Sequence, residues 1–147
     1  MPAKGVEGSS PDHGPPVYRS HPPIESLIRR GQRSTFVHTA SGFVTAPPSM
    51  AGPEAGVGTD TFDGNGGSTL TATLSINGNI AQVTATGTYK VKPDCTGTYK
   101  ISAPGGTTTL FIVIGDNGNE IQAICVDSGV VLTHVFRRQF PVGDWRE

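Results

Sequence analysis

The chain has 147 residues, a formal net charge of −1, 16% charged residues, 20 Gly and 12 Pro. That length suits one domain. The charge balance does not suggest a polyanion-binding surface, so nucleic acid is not an expected partner. No run of 18 apolar residues is present, so no membrane span is expected.

Met1–Arg33 reads as a flexible arm, because MPAKGVEGSSPDHGPPVYRS cannot bury enough apolar surface to order itself. Met1–Pro16 is Gly, Pro and polar with no hydrophobic signal core, which predicts a cytoplasmic protein. Within the arm, Pro22–Gly31 predicts a short helix, with Pro at its start, Glu25 in its first turn, Arg29 and Arg30 in its last and Gly31 just beyond. Ile24, Leu27 and Ile28 share one face of it. A helix this short is marginal alone, so it needs a surface to dock on. The functional reading is a lid over the domain that follows; the plain one is a disordered leader.

Eight strands follow. The first is Ser34–Val44, then a Pro-rich loop over Thr45–Gly56, then a second strand at Val57–Phe62 and the turn DGNGG. The third is Ser68–Ile76, where Leu70, Ala72, Leu74 and Ile76 alternate with Thr69, Thr71, Thr73 and Ser75. Asn77-Gly78 predicts a two-residue hairpin turn, since such turns need positive φ at both centres. The fourth strand is Ile80–Val91, the fifth Gly97–Ala103, the sixth Thr107–Ile114, the seventh Glu120–Val126 and the eighth Val130–Phe140. Pro141–Glu147 is a tail. Eight short strands joined by tight turns predict an all-β fold: an antiparallel up-and-down barrel over 34–140, since closure removes the two open edges of a meander. A β-sandwich is the alternative.

TFDGNGG (Thr61–Gly67), GTYKVKPDCTGTYKI (Gly87–Ile101) and VVLTHVFRRQ (Val130–Gln139) carry a resemblance. The chain resembles small bacterial β-barrel proteins that repeat "FDGxG", "GTYxVxPDCTGT" and a basic ending, over roughly Phe43–Gln139. In layout it is similar to the allene oxide cyclase-type barrels. More narrowly, it resembles the cofactor-free barrel cyclases that form spirotetronate rings by [4+2] cycloaddition, some with an N-terminal lid. The resemblance implies a barrel and, by layout, a cyclase or isomerase. The chain departs from the first group at Asp60, where an apolar residue is usual, and at His134 and Phe136, where small ones are.

Strand parity selects the candidate site. Leu132, His134, Phe136, Arg138 and Phe140 share one face of the last strand, and Phe36, His38 and Ala40 share one face of the first. Phe62 inward implies Asp60 inward, and Tyr89 and Tyr99 fall on apolar faces. Asp60, His134, Tyr89, Tyr99 and His38 are therefore the candidate catalytic groups. Phe36, Phe62, Leu70, Leu74, Val83, Leu132 and Phe136 are the candidate substrate wall, with Ile24, Leu27 and Ile28 as the lid. That mix suits a small-molecule cavity. The plain readings are core histidines, rim tyrosines and an outward Asp60. Gly64–Gly67 reads as a turn, not a phosphate loop. No cofactor is expected. A metal held by both histidines and Asp60 is a minor alternative.

The leading reading is a cofactor-independent cyclase or isomerase acting on a hydrophobic, polyketide-like small molecule. A non-catalytic hydrophobic-ligand barrel and a filled structural barrel are the alternatives. The arm docking over its own barrel or over a partner's leaves a homodimer open. Cys95 and Cys125 fall at opposite barrel ends in a meander, roughly 20 Å apart, so both are expected to be free thiols.

Overall fold

The computed structural model describes residues 32–140. The expected arm helix with Ile24, Leu27 and Ile28, and the tail at Pro141–Glu147, lie outside the described residues. Eight strands, β1 (Ser34–Val44), β2 (Gly52–Phe62), β3 (Gly67–Ile76), β4 (Asn79–Val91), β5 (Thr96–Ala103), β6 (Gly106–Gly115), β7 (Glu120–Cys125) and β8 (Val130–Arg138), form a closed antiparallel barrel in chain order. The last strand closes on the first from Phe36↔Arg138 to Val44↔Val130. Neither edge is left to pair with another chain. No helix among the described residues is long and apolar enough to cross a membrane.

Local chemistry explains most elements. The β3–β4 turn holds Asn77 at φ 50° and Gly78 at φ 85°, as a two-residue hairpin requires. Asp63 ties the next turn by accepting from the amides of Asn65 and Gly67 at 2.7 and 2.9 Å. Cys95 lies in the turn between β4 and β5 and Cys125 ends β7 at the other end of the barrel; both are free.

Two boundaries differ from the expectation by more than one residue. β2 begins at Gly52 rather than Val57, and the connection shrinks to a short loop with one 3₁₀ turn at Pro48–Met50. Gly, Pro and Ala composition suggests a loop there, but the backbone of 52–56 lies between two long neighbours and pairs with both, Gly56 facing Ala40 on β1 and Leu74 on β3. β8 ends at Arg138, so Phe140 is exposed and leaves the inward series.

The interior is graded from one end to the other. At the end holding the β2–β3 and β4–β5 turns, Phe36, Phe62, Tyr99 and Phe136 are fully buried. Phe62 meets Phe36 and Tyr89 edge-on at 5.4 and 5.2 Å. Arg138 closes this end, its guanidinium 5.1 Å from the Phe36 ring centre and donating to Ser34 Oγ and the Gly118 carbonyl. At the opposite end the inward-facing Glu54, Leu74, Val83, Ala103 and Val130 are only half-buried. The barrel is therefore sealed at one end and open to solvent at the other.

Gly42 marks the closing seam. Its φ is +155°, and a Cβ there would lie 1.9 Å from the Val131 carbonyl oxygen on β8. Gly42→Ala combines backbone strain with a clash against main chain, and is expected to cost at least about 2 kcal/mol. Urea unfolding checks this: the midpoint should fall with the slope unchanged.

Candidate functional site

The barrel interior contains one continuous polar chain. Asp60 follows the parity of Phe62 on β2 and lies between Phe36 on β1 and Leu70 on β3. His38 is two residues along β1 from Phe36, flanked by Phe136 on β8 and by Gly58 on β2. Glycine brings no side chain to that level. His134 is one step closer to the open end, between Ala40 on β1 and Ala123 on β7. Both of these cross-strand neighbours are small.

All three polar residues are buried, Asp60 completely. His38 Nδ1 lies 3.0 Å from Asp60 Oδ1, and His38 Nε2 lies 2.9 Å from His134 Nδ1. Tyr99 donates its hydroxyl to Asp60 Oδ2 at 2.7 Å. Its single proton is thereby committed, so Ser68 Oγ, 2.9 Å away, donates to the Tyr99 oxygen. The imidazole of His38 stacks on Phe136 at 4.4 Å, with planes 19° apart.

Taking Asp60 as a carboxylate orders the protons along these contacts. An ionised Asp60 only accepts, so His38 carries hydrogen on Nδ1 and offers a lone pair at Nε2. His134 must then donate from Nδ1, which leaves a lone pair on its own Nε2. That atom is buried and has no hydrogen-bond partner among the described residues. It points away from His38, because the two ring nitrogens of an imidazole face apart. Burial, then the neighbouring His38, pushes the His134 pKa down to about 4, so the ring is neutral near pH 7. Burial, then the Asp60 charge, pushes the Tyr99 phenol well above its ordinary value and keeps it a donor.

The sequence-predicted residues divide into three groups. Asp60, His38, His134 and Tyr99 come together. Tyr89 does not: it packs on Phe62 with its hydroxyl buried and unpartnered, and burial raises its pKa. Of the predicted wall, Phe36, Phe62 and Phe136 belong to the sealed aromatic half, and Leu70 and Leu132 are buried core. Leu74 and Val83 line the half-buried open end. Ser68 was missed, although it shares parity with Leu70. Glu54 was missed because it lay in the supposed loop.

Among the described residues, no group of three or more His, Cys, Asp or Glu side chains is arranged to hold a metal ion. Both nitrogens of His38 are turned to protein partners. Compared with protein-family models, with curated proteins and with solved structures, the chain matches none.

The buried neutral histidine makes stability depend on pH. His134 titrates near 6.5 when unfolded and near 4 when folded, so the unfolded chain binds the extra proton first. Its contribution is constant above about pH 6.5, and stability is lost as pH falls from there towards 4, by up to about 3 kcal/mol. Urea midpoints at pH 7.5 and pH 4.5 check this, with His134→Phe losing less stability over that interval than wild type.

Proposed function

We propose that the protein is a cofactor-independent isomerase or cyclase that moves a proton on a small hydrophobic molecule held in the open half of the barrel. The observation that carries this reading is the lone pair of His134 Nε2, buried, unpartnered and backed by His38 and Asp60. A structural network would be expected to end on satisfied atoms.

The relay gives the base its strength. As His134 Nε2 takes a proton from substrate, its Nδ1 proton passes across 2.9 Å to His38 Nε2. The positive charge then rests on His38, 3.0 Å from the Asp60 carboxylate. His134 itself stays neutral through the transfer. Tyr99 and Ser68 hold the carboxylate in place from the other side. Returning the proton to a different atom of the substrate gives an isomer. Attack by the intermediate carbanion or enolate on a second carbon of the same molecule closes a ring. Either way the proton is returned and no cofactor is consumed.

The layout likeness to allene oxide cyclase-type barrels supports the same class of reaction, set in the cytoplasm. The apolar Leu74, Val83 and Val130 at the open end would equally suit a non-catalytic ligand-binding barrel.

Hydrogen–deuterium exchange separates the two readings without a known substrate. In D2O, a panel of enones and β-dicarbonyls is followed by NMR with and without protein. Catalysed exchange at carbon is expected, falling by about 10²–10⁴ in His134→Ala. Binding of these compounds with no catalysed exchange would leave the non-catalytic barrel.

A further inference from the structure

Resting on the relay reading above, we propose the ligand class: a neutral, mostly apolar molecule that carries one weakly acidic hydroxyl, a phenol or an enol, and donates it to His134 Nε2.

Three observations lead there. The first is polarity. The proton order along Asp60, His38 and His134 leaves Nε2 as an acceptor, so its partner must bring a donor. The second is the surroundings. Ala40 and Ala123 flank His134 across the sheet, Leu132 is its neighbour towards the open end, and Leu74 and Val83 are half-buried at that end. These walls suit an apolar body beside His134 Nε2.

The third observation is charge. Glu54 faces inward at the open end, where burial raises its pKa. Asp127, in the β7–β8 turn at the same end, accepts from the Thr109 amide at 2.9 Å. Among the described residues no lysine or arginine faces inward there. Arg138, the inward-facing cation, is at the sealed end and engaged by Ser34, Gly118 and Phe36. A carboxylate or phosphate ligand would enter past carboxyl groups and find no counter-charge. An ammonium would lose its hydration beside an acceptor, and the nearest anion, Asp60, already has both oxygens taken by His38 and Tyr99. A neutral hydroxyl meets neither penalty.

The experiment uses three matched probes, 4-fluorophenol, 4-fluoroanisole and 4-fluorobenzoate, titrated by 19F NMR at pH 7.5. The phenol should bind about tenfold more tightly than the anisole, the worth of one hydrogen bond. The benzoate should bind most weakly of the three. His134→Ala should abolish the phenol's advantage while still binding the anisole. In wild-type protein, 4-fluorophenol should shift the 15N resonance of His134 Nε2, a readout that does not depend on any variant folding. Equal affinity for phenol and anisole, a preference that survives in His134→Ala, tightest binding of the benzoate, no binding of any probe, or an unmoved Nε2 resonance would overturn the proposal. The two proposals fail separately. Phenol selectivity with no catalysed exchange refutes the enzyme alone, and catalysed exchange without phenol selectivity refutes the ligand class alone.

Discussion

Asp60 carries a carboxyl group with no solvent exposure into an interior made of phenylalanine, leucine and isoleucine. An ionised carboxylate there would cost many kcal/mol unless each oxygen found a donor. Much of the arrangement around it follows from that requirement. One oxygen takes the Tyr99 hydroxyl and the other takes His38 Nδ1. Those bonds fix the tautomer of His38, which fixes the orientation of His134, which leaves the last acceptor at Nε2. Each step removes a choice from the next. The chemistry proposed for His134 is thus a consequence of how Asp60 is satisfied two side chains away.

The interior also divides its labour along the barrel axis. The aromatic half is dense and closed by Arg138, so it holds the relay rigidly and keeps water from Asp60. The open half is built from smaller residues at His134's level, Ala40, Gly56 and Ala123 among them. A polar base beneath half-buried apolar walls is what proton transfer from an apolar molecule asks for. The same grading places Phe36, Phe62, Phe136, Leu70 and Leu132 of the expected wall in the buried part of the interior. Phenylalanines chosen for their parity lie below the relay, where they support it.

Outside the lumen the barrel is ordinary in the way strands are. Outward positions of β3 to β5 are mostly threonine, with serine, lysine and glutamine and the exposed Ile80. Closure of β8 on β1 brings His134 and His38 into range across 96 residues of chain. Without that seam the two histidines would sit on opposite edges of an open sheet.

What the sequence determined by itself was everything governed by the period of two and by turn chemistry. Alternation located the strands, Asn77-Gly78 located a hairpin, and parity with Phe62 and Phe136 carried Asp60 and His134 inward. Strand number argued for closure, and closure brought His38 to His134. Local patterns reach no further, because they say which face a side chain takes and not what stands across the lumen. Tyr89 and Tyr99 show the limit. They sit directly opposite one another on β4 and β5 with the same parity, yet only Tyr99 reaches Asp60. The true start of β2 was hidden for the same reason: two neighbouring strands, not the residues of 52–56, decide that this stretch pairs. Contacts across a barrel are set by strand tilt, stagger and rotamer together, and those belong to the tertiary structure alone.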